Sequence, residues 1–149
     1  MKFNVNQQDI QKSLSYCQGV IEKRSTLPIL SNVMLDASDS KLTVVATDLD
    51  LIFINIVPNI EIIEEGKTTT SSSIMYDIVR KFSTGNKIQF SSVSENKLHL
   101  ESEKSVFNLN CISATEFPLT NEDFNQNEFS INSKKLFKLL NKCKFSISN

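Results

Sequence analysis

The end of the chain repeats its beginning at a fixed interval. Residues that recur unchanged 126 positions later include Phe3, Asn6, Lys12, Leu14 and Cys17, as Phe129, Asn132, Lys138, Leu140 and Cys143. A period of this length is that of a whole domain, because solenoid repeats are only about 20–50 residues long. The repeat therefore predicts one domain at residues 1–125 and the truncated beginning of a second at 126–149. The alternative is that two amphipathic segments are alike by chance.

Composition is typical of a globular protein of the cytosol. Apolar residues make up 40% of the chain, and no run approaches the roughly 18 apolar residues of a membrane span. The first residues lack the apolar core of a signal peptide. We therefore expect a cytoplasmic location and no membrane partner.

The cysteines are predicted to be structural. There are three, without a CxxC spacing, which argues against a disulfide framework and against a zinc site. Cys17 and Cys143 hold equivalent positions of the repeat, so they are predicted to fill core space rather than to react.

Charge is unevenly distributed, although the net charge is only −1. Three stretches predicted to be helical, 6–24, 72–82 and 132–145, together carry an excess of 7 positive charges, which leaves −8 on the remainder. A segregated basic surface can attract DNA even when the net charge is near zero. Solvated lysines on exposed helix faces would give the same pattern.

Apolar periodicity predicts two helices in the first domain. Spacings of three and four residues from Ile10 onward predict a helix at 7–21, after a short strand that begins the chain. Serines that can cap a helix precede a second predicted helix at 74–81.

Between and after these helices the apolar period becomes two. Alternation begins at Ile29 and continues to Cys111, with Asp39-Ser40 as a hairpin turn. Because strands and helices do not alternate regularly, the predicted class is α+β with antiparallel sheet. Phe117-Pro118 and the polar residues up to Glu128 are predicted to form a linker.

Arg24 lies in a polar loop between the first helix and Pro28. A guanidinium in such a loop suits phosphate oxygens, because its planar fork makes charge-assisted hydrogen bonds. An ordinary exposed arginine is the alternative interpretation.

Asp48 and Asp50 place two carboxylates on one face of a predicted strand. Such a pair is compatible with acid–base catalysis or with a metal site. However, His99 is the only histidine, and the sequence has neither a glycine-rich phosphate loop nor a nucleophile elbow. We interpret the pair as structural or solvated and keep a small hydrolase as an alternative function.

Several motifs together resemble those of one protein family. They are MKFxV at 1–5, RxTLPIL at 24–30, ATDLD at 46–50, SAxEFP at 113–118 and FxIxxxxLxxLLxxxxFSIS at 129–148. Their content and order resemble the beta subunit of bacterial DNA polymerase III, the sliding clamp. The resemblance implies tandem domains with antiparallel sheets outside and basic helices on the inner face, joined head-to-tail as a homodimeric ring around duplex DNA. It implies no catalytic residue, no cofactor and no metal.

The resemblance also implies residues that contact DNA. Arg24 matches the DNA-contacting arginine of the family. Ser73 and Ile74 stand where the family has basic residues, so a contact at Ser73 is expected to be weaker. Arg80, on the second predicted helix, is a further candidate.

A subunit interface is implied at Ser105–Asn110, which is expected to be a free strand edge with apolar side chains exposed beside it. Four residues match interface positions of the family: Phe107, Leu109, Lys97 and Lys104. The two lysines are expected to face acidic residues of the neighbouring subunit. Val106 stands where the family has a basic residue, which reduces this electrostatic contribution.

The sequence therefore predicts a processivity factor that holds a replicative polymerase on DNA. Binding to duplex DNA is expected to be independent of sequence and sensitive to salt, because helices would contact phosphates rather than bases. The other expected partners are a second clamp subunit, the polymerase and the clamp loader, of which the last two would bind domains beyond residue 149. The alternatives are the small hydrolase and a generic β-rich interaction domain.

Overall fold

A computed structural model describes residues 1–21, 27–94, 96–119 and 130–146. The chain divides into two compact units, Met1–Pro118 and Leu119–Asn149, each described here by itself. Arg24 lies outside the described residues, so its contacts stay predictions. No described helix is long and apolar enough to cross a membrane.

The described residues of the first unit form nine strands and two α-helices, which confirms the predicted α+β class. The strands are β1 Lys2–Asn6, β2 Asn32–Ser38, β3 Lys41–Thr47, β4 Ile52–Val57, β5 Ile60–Glu64, β6 Gly66–Ser71, β7 Lys87–Ser94, β8 Lys97–Ser102 and β9 Ser105–Ile112. The helices are α1 Gln7–Cys17 and α2 Ser72–Val79. Short 3-10 helices cover Pro28–Ser31 and Ala114–Glu116.

The strands form one sheet in the order β4-β3-β2-β6-β9-β8-β7-β1-β5, and every pairing is antiparallel. The unit consists of two similar halves, β1-α1-β2-β3-β4-β5 and β6-α2-β7-β8-β9. The first strand of each half pairs with the strand that follows the helix of the other half, β1 with β7 and β6 with β2. Neither half can therefore complete its sheet without the other.

One hydrophobic core joins both helices to the sheet. Ile10, Leu14 and Cys17 lie on the buried side of α1, as their helical spacing predicted. In the same core the rings of Phe3 and Phe90 stack with their centroids 4.9 Å apart. This burial, rather than helix propensity, is what stabilises an eleven-residue helix.

Both helices end before the predicted boundaries of 21 and 81. After Cys17 the chain turns through Gly19, whose low helix propensity favours termination there. The positive charge expected of the two helices consequently lies in the residues that follow them. Within its observed bounds α1 has one acidic and one basic residue, and α2 has one acidic residue only.

The turn at Asp39-Ser40 joins β2 to β3, as predicted. Both residues have positive φ, 49° and 58°, which is the pattern of a type I′ hairpin turn. The turn fixes the register in which Ser38 lies opposite Lys41.

A second, smaller hydrophobic cluster lies on the opposite face of the sheet. Met34 and Val45 alternate along their strands with residues of the main core, so they point the other way. Phe117, only 5% exposed, packs against them together with Ile29. The prediction that a linker begins at Phe117 was therefore wrong, because this ring belongs to the folded unit.

The second unit contains α3, Ser133–Cys143. Its bounds are those of α1 shifted by 126 positions, and Asn132 Oδ1 caps it by accepting hydrogen bonds from the backbone N–H groups of Lys134 and Lys135. The strand predicted before it is not formed at residues 130–132, while Phe129 lies outside the described residues. β1 is held by neighbours on both edges, β5 and β7, and the described part of the second unit offers no such partner.

The apolar side of α3 is exposed, in contrast to that of α1. Leu14 is fully buried, whereas its repeat equivalent Leu140 is 60% exposed. The other exposed apolar residues of this segment are Leu136, Phe137, Leu139 and Phe145. The two helices thus share their bounds but not their surroundings, and the second domain copy stays a prediction.

Candidate nucleic-acid interface

α1 and α2 lie side by side and run in opposite directions. Gln7 Nε2, near the start of α1, donates to the carbonyl oxygen of Val79 at the end of α2 over 3.0 Å. Gln18 Nε2, just after α1, donates to Ser72 Oγ at the start of α2 over 2.8 Å. These two side-chain contacts fix the pair at both ends and leave one face of each helix exposed.

Neither Gln7 nor Gln18 was predicted from the sequence to link the two helices. Gln7 is buried although it is polar, and its spacing of three residues from Ile10 puts it on the apolar side of α1. A glutamine on an otherwise apolar helix face is the signal that could have identified it, because a buried amide needs hydrogen-bond partners.

A shallow groove of about 380 Å³ runs along the exposed side of this helix pair. Its lining residues are Gln8, Gln11, Lys12 and Ser15 from α1 and Tyr76 from α2. Amide, hydroxyl and ammonium donors of this kind suit phosphate oxygens and carry no information about base sequence.

The DNA-contact candidates on α2 are exposed, but neither offers an isolated positive charge. Ser73 is uncharged, and its Oγ lies 3.4 Å from Ser71 Oγ. Arg80 Nε lies 3.3 Å from Asp77 Oδ1, with both side chains more than half exposed. The structure thus places Ser73 and Arg80 on one helix face, while Arg24 cannot be compared with them.

The predicted interface strand β9 has one edge that is largely open. From Ser102↔Ser105 to Lys97↔Asn110 it pairs with β8 on one side. On the other side β6 pairs only with Cys111 and Ile112. Residues 105–110 therefore have no strand partner on this side within the described part of the chain, although the Asn110 carbonyl accepts a hydrogen bond from Thr70 Oγ1 over 2.9 Å. Strand edges of this kind recruit further strands.

The expectation that apolar surface is exposed at this edge was wrong for Leu109, and Phe107 is only partly exposed. Leu109 is only 6% exposed, and Phe107 packs against the core with its ring edge-on to Phe82, the centroids 5.6 Å apart. Strand alternation turns Val106 outward instead, and it is 52% exposed. Lys97, on β8 opposite Asn110, and Lys104, in the turn between β8 and β9, are both exposed.

Asp48 is occupied in building a turn. Its Oδ1 accepts hydrogen bonds from the backbone N–H groups of Asp50, over 3.1 Å, and of Leu51, over 2.7 Å. This arrangement is an Asx turn, and Thr47 Oγ1 accepts a further one from Leu49. The carboxylate therefore has a structural role, and no cluster of potential metal ligands occurs among the described residues.

Burial raises the pKa of the Cys17 thiol to about 12 and that of the Cys111 thiol above its ordinary value. Both thiols stay protonated at neutral pH and are poor nucleophiles. Cys17 therefore fills core space, as predicted from the repeat, whereas its equivalent Cys143 is exposed.

Residues 1–121 match the family described as DNA polymerase III beta subunit, N-terminal domain. The chain is 33% identical to the beta sliding clamp of Caulobacter vibrioides over 99% of its own length and 30% identical to that of Escherichia coli over 100%. It covers 40% of each of these relatives.

Solved structures give the same result over the whole chain. The Caulobacter crescentus pol III beta structure matches with a TM-score of 0.93 at 32% identity. The DNA polymerase III beta subunit of Pseudomonas aeruginosa matches with a TM-score of 0.92 at 30% identity. In both cases the chain covers 40% of the solved chain. Because the family model matches residues 1–121 and solved members match along the whole chain, the chain belongs to the DNA polymerase III beta subunit family, the bacterial sliding clamps.

Proposed function

We propose that the chain contributes the first domain of a clamp that encircles duplex DNA and holds a replicative polymerase on it. The observation that carries this proposal is the similarity to beta sliding clamps along the entire chain, at TM-scores up to 0.93. The function requires no catalysis by this domain, and Asp48, one of the two carboxylates considered for catalysis, is engaged in a turn. Such a clamp would act in the cytoplasm together with its polymerase and clamp loader.

Encirclement of DNA is tested by comparing how long the clamp stays bound to circular and to linear DNA. The full-length subunit that the proposal implies, placed on circular plasmid by its loader, should stay bound during gel filtration and should be lost once the plasmid is cut. The physical reason is that a ring is held topologically and needs few direct contacts. Equal retention on circular and linear DNA would contradict the clamp function.

DNA contact is proposed at Arg24, with secondary contributions from Ser73 on the exposed face of α2 and from Arg80 just past the end of that helix, where Asp77 offsets its charge. Arg24→Ala in the full-length subunit should weaken binding similarly on different sequences and reduce the salt dependence of the binding constant by about 0.9 logarithmic units per logarithmic unit of salt, the effect of one lost phosphate contact. The measurement is duplex binding at several salt concentrations. A loss confined to one sequence would show that Arg24 contacts bases instead.

The open edge of β9 is proposed to pair with the neighbouring subunit, with Phe107 and Leu109 packed behind it. Lys97 and Lys104 flank this edge and are exposed, so they are available to acidic groups across the boundary. Since charges at an interface rim govern association, the double substitution Lys97→Glu and Lys104→Glu should raise the dissociation constant of the full-length dimer at least tenfold.

Analytical ultracentrifugation measures this change, and Lys41→Glu is the matched control. Lys41 is exposed in the hairpin between β2 and β3, away from β9. If Lys41→Glu weakens the dimer as much as the double substitution does, the weakening results from the change in net charge. The proposal that β9 pairs with the neighbouring subunit is then not supported.

A further inference from the structure

We propose that Lys12 and Lys81 are the phosphate-contacting charges of the helix pair, and that Asp77 withholds Arg80 from this role. The inference rests on the proposed binding of DNA and specifies which cations of this chain carry it. It follows from the exposed faces of α1 and α2 and from the ion pairs on them.

Lys12 is central to the exposed face of α1. Gln8 and Ser15 lie four residues before and three residues after it, which is the spacing of one helix face, and all three are exposed. Lys12 also lines the groove between the helices. Its ammonium has no ion-pair partner among the residues that the structure describes.

Asp9, one turn before Lys12, is engaged elsewhere. Its Oδ2 accepts hydrogen bonds from Asn6 Nδ2, over 3.4 Å, and from Asn59 Nδ2, over 3.2 Å. These amides hold the carboxylate toward the start of α1 and toward the β4–β5 connection. Lys12 is thus left as the one cation within the bounds of α1.

On the α2 side, the exposed face continues past the end of the helix. Arg80 N–H donates to the carbonyl of Tyr76, and Lys81 N–H donates to that of Ile78, so both residues still follow the helical path. Ser73, Asp77 and Arg80 recur at spacings of four and three residues, and Lys81 lies next to them in the following turn.

Charge on this face is partly cancelled. Arg80 and Asp77 form an ion pair at 3.3 Å, so their sum is zero and the carboxylate also repels phosphate. Lys81 is exposed and has no ion-pair partner within the described part of the chain. Of the charges on the two exposed faces, Lys12 and Lys81 are therefore the ones available to DNA.

Neutral groups of the groove complement Lys12. Gln11 Oε1 accepts a hydrogen bond from Gln7 Nε2 over 2.7 Å, so the group that Gln11 offers to a ligand is its NH₂ donor. Ser15 Oγ, by contrast, donates its only proton to the carbonyl of Lys12, so it offers a ligand no donor. A donor amide beside an ammonium suits an anion and not a cation.

The test uses the 149-residue chain itself and a 20-base-pair DNA duplex of mixed sequence as the probe. Binding is followed by shifts of backbone amide signals in NMR titrations at several sodium chloride concentrations, because the contacts of an open chain are weak. Variants Lys12→Gln and Lys81→Gln should each reduce the salt slope by about 0.9. Asp77→Asn should increase both the affinity and the slope, because it frees Arg80 and removes a repelling charge.

Lys41→Gln is the matched control, since it removes an equal charge from a hairpin remote in sequence from the helix faces, and it should leave the slope unchanged. If Lys12→Gln and Lys81→Gln still bind DNA with the same salt slope as the unmodified chain, this inference is overturned, while the proposed function is not affected. An Asp77→Asn variant that binds no more tightly would overturn the role of Asp77. If no amide signals shift with DNA at the lowest salt, the proposed phosphate contacts are absent and this inference fails, whereas encirclement, which needs few direct contacts, is decided by the plasmid experiment.

Discussion

Leu14→Ala is expected to lower the free energy of unfolding of the first unit by about 2–5 kcal/mol. Leu14 is fully buried between α1 and the sheet, and its removal leaves a cavity that neighbouring side chains fill only partly. Urea unfolding followed by circular dichroism measures the change. The midpoint should fall while the slope with denaturant is maintained, because the surface exposed on unfolding is nearly unchanged.

The control for this experiment is the repeat equivalent of Leu14. Leu140→Ala removes the same atoms from the same position of a helix with matching bounds, but Leu140 is 60% exposed, so a change within about 0.5 kcal/mol is expected. In a longer chain that completes a second domain, the same substitution should become as costly as Leu14→Ala. If Leu140→Ala has an equally small effect on the free energy of unfolding in the 149-residue chain and in the longer chain, the predicted second domain copy is contradicted.

Local signals in the sequence predicted those parts of the fold that depend on neighbouring residues. The spacing of Ile10, Leu14 and Cys17 identified the buried face of α1, because helical periodicity is itself the cause of that burial. The turn at Asp39-Ser40 was predicted for the same reason, since its side chains tolerate the positive φ that a tight hairpin requires.

Contacts distant in sequence were not predictable in this way. Alternation placed Phe107 and Leu109 on one face of β9, but only the position of Phe82 shows that this face is buried. The pairing of β1 with both β5 and β7 likewise depends on strands more than fifty residues away. Family resemblance supplied the interface strand, whereas the burial of its side chains required the three-dimensional structure.

The candidate DNA surface shows the same limit. The count of charges over the predicted helices included Asp77, but it could not show that this carboxylate pairs with Arg80 rather than with Lys81. Asp48 was considered for catalysis because two carboxylates were close in sequence, whereas its partners are backbone N–H groups. Which groups a side chain contacts decides its role, and residue type alone does not.

Phe117→Ala is expected to destabilise the first unit by about 3 kcal/mol, at the lower end of the range for removal of a buried phenylalanine. Its ring is 5% exposed and, with Met34 and Val45, forms the buried part of the smaller cluster. That cluster covers one face of β2 and β3, so its loss exposes the sheet surface opposite the main core.

Leu119→Ala is the matched control for this substitution, because it lies two positions further along and is 47% exposed. A change within about 0.5 kcal/mol is expected for it. Thermal unfolding of both variants beside the unmodified chain separates the two interpretations of this segment. If Phe117→Ala has an effect as small as that of Leu119→Ala, Phe117 acts as part of a linker after all, and the folded unit ends before it.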